Sequence, residues 1–305
     1  MRLLVIWLFL VGTAWADPRI DELCHKYYDN PNGPGGAVAV IVHGKVVHKK
    51  CYGKTDKGAP ITPTTTMYLA SVSKQFTATC VMILADHGKL RLHDEVRQYF
   101  PALPASKTRP IRIDDLLTMR AGIKEYNMSD NAMTPKKLIA YYADENLETP
   151  TGTHHEYSNG SYVLLGYLVE KISGQSLKAF EQQHIFGPLK MTHTSFLDGD
   201  TGDAGITSCL DDMILWEDAL RNHPVVSAEM LKLSWTQAHL DNGQAFGYGF
   251  GWKVGADSKY VQHNGHWAGT STYIGLDAAS GTSIIILSNV ESTAQPLAEA
   301  IAALD

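Results

Sequence analysis

Cysteine is scarce in this chain. It occurs four times in 305 residues, and no two copies stand in a C-x-x-C spacing, which argues against a zinc site. Clusters of basic residues are missing too. Lys and Arg number 26 against 32 Asp and Glu, a net charge of −6, so nucleic acid is not an expected partner. Beyond the first residues no segment reaches the ~18 uninterrupted apolar residues of a membrane-spanning helix. No internal repeat or low-complexity tract is present. The length therefore reads as one large or two interleaved globular domains.

The first residues carry a different signal. Arg2 is followed by an apolar stretch from Leu3 to Val11 and by Ala14-Trp15-Ala16, an A-x-A cleavage pattern. Met1–Ala16 thus reads as a secretory signal peptide, with Asp17 as the expected mature N-terminus. Loss of Arg2 takes the net charge from −6 to −7. No cysteine follows the cut to carry a lipid, so the expectation is a secreted or periplasmic protein without a stable membrane anchor. Export permits disulfides. A Cys24–Cys51 pair is the expectation, with Cys80 a buried free thiol on one helical face with Phe76 and Leu84.

The hydrophobic pattern alternates near both ends and turns helical between them. Ala37–His43 and Val46–Tyr52 read as a hairpin turned at Gly44. A helix is expected from Ser71 to His87, amphipathic and stopped by Gly88. Further helices are expected at Ile113–Met119, Pro135–Asn146, Tyr162–Ile172, Leu177–Phe186, Thr207–Arg221 and Ala228–Trp235. Strands follow at Tyr260–His263, Thr270–Leu276 and Ser283–Leu287, then a closing helix at Pro296–Leu304. This predicts a mixed α+β fold. One antiparallel sheet is built from both ends of the chain and flanked by terminal helices, with a mostly helical lobe inserted. The α/β part is 17–70 and about 205–305, and the helical part about 71–204.

Three short motifs carry chemistry. Ser71-Val72-Ser73-Lys74 is the one S-x-x-K in the sequence. On a helix, positions i and i+3 share a face, which sets the Ser71 hydroxyl beside the Lys74 amine. A serine hydroxyl becomes a nucleophile when a neighbouring base takes its proton, and a desolvated neutral lysine can do so. Tyr157-Ser158-Asn159 follows in a loop. A tyrosine near a cation can be held partly as phenolate and act as a second acid/base. The Asn159 amide can hydrogen-bond Lys74 and a substrate carbonyl. Alone this motif is weak, since Tyr28-Asp29-Asn30 repeats the pattern. His263-Asn264-Gly265 ends a strand. There Gly265 lets a substrate backbone approach closely, and the N–H groups of His266 and Ser71 can form an oxyanion hole.

S-x-x-K, Y-x-N and H-x-G in this order resemble the serine β-lactamase/penicillin-binding family, closest to the class C β-lactamase-like branch with its esterases and D-stereospecific peptidases. Supporting stretches are Leu116-Leu117-Thr118 with Gly122-Ile123, Gly166–Gly174 and Gly247–Trp252, so the resemblance covers nearly the whole chain after the leader. It implies an α/β domain and a helical domain with a cleft between them. It also implies Ser71 as nucleophile, Lys74 as its base, Tyr157 as second acid/base, Asn159 as positioning amide and His263 as a strand residue facing substrate. A Y-x-N second motif favours this tyrosine branch over the glutamate-bearing loop of class A enzymes. Where class C enzymes carry K-T-G, this chain has H-N-G, which is more like the esterase and peptidase members.

The remaining candidates are bland. His263 and His266 at i and i+3 on a strand face opposite ways and make no shared metal site. His154-His155 reads as a solvated pair or as a substrate contact near the cleft, Asp211-Asp212 as charges at a helix N-terminus, and Ser73 as facing away from the Ser71–Lys74 pair. Asn127-Met128-Ser129 and Asn159-Gly160-Ser161 match glycosylation sequons. The expectation is an exported serine hydrolase that acts through an acyl-enzyme on an ester, a D-amino-acid amide or short peptide, or a β-lactam. No metal or cofactor is called for, the partner is a small-molecule or short-peptide substrate, and the oligomeric state stays open. The alternative is a non-turnover penicillin-binding receptor or sequestering protein acylated at the same serine.

Overall fold

A computed structural model describes residues 17–126, 134–143, 147–197, 202–222 and 225–304. The leader Met1–Ala16 and the Asn127–Ser129 sequon lie outside the described residues. Helix α1 (Pro18–Tyr27) begins where the Asp17 side chain accepts the Arg19 N–H at 2.8 Å, with Pro18 preset for the first turn. Strands β1 (Gly36–Val42) and β2 (Lys45–Tyr52) form the expected hairpin. His43 and Gly44 at its tip both take positive φ, 48° and 75°, as a two-residue turn between twisted strands demands.

A short strand β3 (Met67–Tyr68) leads into a 3-10 turn, Ala70–Ser73, and helix α2 (Lys74–Asp86). The helical lobe continues with α3 (Ile113–Leu117), α4 (Pro135–Ala143), α5 (Asn159–Ser173) and α6 (Leu177–Glu181). Strands β4 (Ser195–Phe196) and β5 (Ile206–Ser208) join β3 in a small antiparallel sheet. Helices α7 (Leu210–Asn222) and α8 (Ala228–Ser234) precede the short strands β6 (Ala238–His239), β7 (Ala245–Phe246) and β8 (Lys253–Val254). The long strands β9 (Tyr260–Trp267), β10 (Thr270–Asp277) and β11 (Thr282–Ser288) and helix α9 (Ala294–Ala302) complete the described chain.

The main sheet is antiparallel, in the order β2-β1-β11-β10-β9-β8. Side chains alternate across it. Val38, Val40, Tyr273, Ile284 and Ile286 face α1 and α9, where Ile20, Leu297 and Ile301 complete one core. Ala37, Ala39, Ile41, Ile274 and Ile285 face the other way, into the larger core shared with α2, α7 and the helical lobe. The same alternation undoes the expected Cys24–Cys51 disulfide. Cys24 lies in the α1/α9 core, while Cys51 packs toward the larger one. None of the four cysteines is in a disulfide, and Cys80 is buried as expected.

Three element readings need correction. The Ser71 helix is not amphipathic: every residue from Lys74 to Leu84 is buried, because α5 and α6 pack around α2. Thr207 belongs to β5, paired with Tyr68. The next helix waits for Leu210, with Cys209 Sγ accepting the Asp212 N–H at 3.5 Å. The run through Phe186 leaves α-geometry at Gln182 and becomes a π-turn closed by the Gly187 N–H on Gln182 O at 2.9 Å.

Candidate active site

Ser71 sits in the 3-10 turn, half-exposed between buried neighbours. Ala70 just before it holds φ of 49°, a conformation costly for a residue with a Cβ. The turn is pinned from the sheet. Thr272 Oγ1 donates to Leu69 O at 2.7 Å. Gly265 lies directly against the same segment, where an added Cβ would fall 2.2 Å from Leu69 O and 3.1 Å from the Ala70 Cβ. The glycine of H-N-G therefore makes room for the chain's own nucleophile turn, whereas the sequence reading reserved that room for a substrate backbone.

Lys74 is 0% exposed. Its Nζ lies 3.2 Å from Ser71 Oγ, 2.7 Å from Asn159 Oδ1 and 2.9 Å from Asp203 O. Two of these oxygens are carbonyls that can only accept. A neutral Lys74 with both N–H bonds on them turns its lone pair toward the Ser71 hydroxyl. A charged Lys74 fills all three acceptors. The same cradle therefore serves both protonation states, and it keeps a buried charge hydrogen-bonded. Ser73, as expected, faces away: it is buried, and its Oγ accepts the Ile206 N–H at 3.3 Å.

Asn159 is placed by its helix. It is the first residue of α5, whose N-cap Ser158 accepts the Ser161 N–H at 3.1 Å. Tyr157, one residue outside that cap, is 37% exposed. Lys74 Nζ stands 5.0 Å from its ring centroid. The ring meets Tyr248 edge-on at 6.2 Å and lies 6.2 Å from the His263 ring. Among the described residues the Tyr157 hydroxyl has no hydrogen bond.

His263 was expected to face substrate. In the structure it is 1% exposed, and both ring nitrogens are engaged. Nδ1 lies 2.8 Å from Asn264 O, an acceptor, so Nδ1 carries the proton. Nε2 is then the acceptor for the Tyr248 hydroxyl at 3.0 Å. Burial, with the Lys74 charge nearby, holds the imidazole neutral and pushes it down to about 3. His266 is exposed. The β9 edge from His263 onward has no strand beside it among the described residues, since β8 pairs only as far as Gln262. His155 is not solvated as its neighbour His154 is: it stacks on Phe246 at 4.5 Å and Nδ1 donates to Thr118 O at 3.0 Å.

Sequence motifs missed three contributors to this constellation. Asp203 supplies a main-chain carbonyl, which leaves no side-chain signature. Glu125 accepts the Asn159 N–H at 2.7 Å from a loop that no motif marks. Tyr248 lies inside the Gly247–Trp252 stretch, but only its hydrogen bond to His263 gives it a role. Among the described residues His193, Cys209 and Asp212 stand close enough together to hold an ion, at the N-terminal end of α7.

A family model described as Beta-lactamase matches residues 20–305. The chain is 28% identical to Protein flp of Staphylococcus aureus, over 91% of this chain and 64% of that one. It is also 28% identical to a D-aminopeptidase of Brucella ovis, over 92% of this chain and 61% of that one. It thus spans somewhat less than two thirds of the length of these curated relatives. The octameric penicillin-binding protein homologue from Pyrococcus abyssi has the same fold, with a TM-score of 0.83 at 23% identity over 94% of this chain and 76% of that chain. FmtA from Staphylococcus aureus matches with a TM-score of 0.80 at 19% identity over 95% and 90% of the two chains.

Proposed function

The chain belongs to the Beta-lactamase family, and from that premise we propose that it is a serine hydrolase working through an acyl-enzyme at Ser71. The observation that carries this reading is the Lys74 cradle, which aims a buried amine at the Ser71 hydroxyl. Lys74 takes the Ser71 proton as Oγ attacks a carbonyl carbon. The N–H groups of Ser71 and His266 hold the developing oxyanion, each worth roughly 3–4 kcal/mol by analogy with measured donors. The proton returns to the leaving oxygen or nitrogen by way of Lys74 or Tyr157. Water, deprotonated by Tyr157, then releases the acid and restores Ser71.

The substrate we propose is an ester, or an amide or short peptide of a D-amino acid. Two points favour these over a β-lactam. One relative bears the name D-aminopeptidase. The H-N-G strand presents a neutral, occupied imidazole at the position where K-T-G presents a permanent cation. The leader-like Met1–Ala16 supports action outside the cytoplasm.

Intact-mass measurement after mixing with a p-nitrophenyl acyl ester, a D-alanine amide or a penicillin tests the reading. The expected result is an acyl adduct that decays as product appears and is lost in Ser71→Ala. Full turnover by Ser71→Ala would overturn it. An adduct that never decays would assign the chain to the non-turnover receptor class.

A further inference from the structure

We propose that Glu125 is a positioning residue for acyl transfer: it clamps the start of α5 so that Asn159 holds the Lys74 amine on Ser71, and its charge sets the acid side of the reaction's pH dependence. This rests on the serine-hydrolase reading above. Glu125 lies in the loop after α3 and is half-buried. Its Oε2 accepts the Asn159 N–H at 2.7 Å and its Oε1 accepts the Tyr126 N–H at 3.2 Å. Both oxygens are thus held by main-chain donors, which makes the carboxylate an anchor and not a free base. Asn159 is the first residue of a 15-residue helix. Its N–H is one of the four left without a helical acceptor, at the end where a negative charge is stabilised.

The same residue carries both ends of the link. Its main-chain N–H goes to Glu125, and its side-chain Oδ1 accepts from Lys74 at 2.7 Å. Glu125, Asn159, Lys74 and Ser71 therefore form one chain of contacts of 2.7, 2.7 and 3.2 Å. Lys74 has only neutral oxygens as direct partners among the described residues, so nearby anions act on it through space. Around Glu125 and Lys74 the titratable groups are Asp203, whose carboxylate faces Tyr126, then Tyr126 itself, Tyr142 from α4, Tyr157, Tyr162 and the neutral His263. Burial raises Glu125 above the ordinary carboxylate range, against the pull of its two N–H bonds and Lys74. Protonation therefore weakens the clamp at a higher pH than it would for an exposed carboxylate, and removes the negative charge in the same step.

Two measurements test this. The first is the pH profile of acylation by a p-nitrophenyl ester. Glu125→Gln keeps an acceptor for the Asn159 N–H but cannot titrate. Like the protonated acid it has lost the charge and one acceptor, so its rate is expected to stay several-fold below the wild-type plateau, with the acid limb that Glu125 sets flattened. Glu125→Ala loses the anchor and is expected to fall about 10- to 100-fold, the cost of a small misplacement. The second needs no catalysis. The amide proton shift of Asn159 should titrate with Glu125 in wild type, above the usual carboxylate range, and stay flat in Glu125→Gln. An unflattened acid limb in Glu125→Gln, or an Asn159 amide that titrates as before, would overturn the proposal. A wild-type protein that acylates with no ester, amide or penicillin would sink the hydrolase reading. The amide titration would still judge the clamp.

Discussion

His263 shows how far the roles of single residues follow from their contacts. Its tautomer is fixed by a carbonyl on one nitrogen and a tyrosine hydroxyl on the other. The fold accepts no proton there until about pH 3, while an unfolded histidine takes one near 6.5. Between those values the unfolded chain binds more protons, so stability rises with pH through that window and falls as pH drops through it. Urea unfolding at pH 7.5 and pH 4.5 should show this fall in wild type and a smaller one in His263→Gln. Equal falls would contradict the burial argument. The sequence pointed to the residue types here: Ser71, Lys74, Tyr157 and Asn159 meet at one place. It did not show that His263 is enclosed, because strand alternation gives a face and not what covers it. Nor could it register Asp203, which acts through a main-chain oxygen.

At the scale of elements, the approach of β9 to the 3-10 turn decides the geometry. Gly265 is the point of contact. In Gly265→Ala the new Cβ presses on Leu69 O, a backbone atom that moves only if the turn carrying Ser71 moves. A loss of ~1–3 kcal/mol is expected, with a fall in acylation larger than the drop in folded fraction explains. Thermal melting and single-turnover acylation on the same sample check it. Unchanged values in both would refute the contact. The element order was legible from periodicity, and β1, β2, β10 and β11 fall within a residue or two of expectation. Errors came where tertiary packing overrode a local pattern. Total enclosure hides the face of α2, and pairing with Tyr68 holds Thr207 extended. Cys24 and Cys51 looked able to pair until strand alternation put them in different cores.

For the molecule as a whole, one sheet separates two cores, and only the larger contains Lys74's surroundings. Leu297→Ala in α9 should cost ~2–5 kcal/mol while the acylation rate per folded molecule stays at the wild-type value. Denaturant unfolding beside active-site titration measures both. A matching loss in rate would mean the two sides are coupled. The sheet's central pairing also has a consequence in time. Gly35 and Ser288, joined at 3.0 Å, are 253 positions apart in the chain. A ribosome makes β1 long before the β11 that must lie beside it, and such distant pairing slows folding. The turn bearing Ser71 likewise waits for Thr272 and Gly265 to fix it. A nascent chain thus holds its nucleophile, lysine and tyrosine well before it can use them, and reactivity begins only when the last strands arrive.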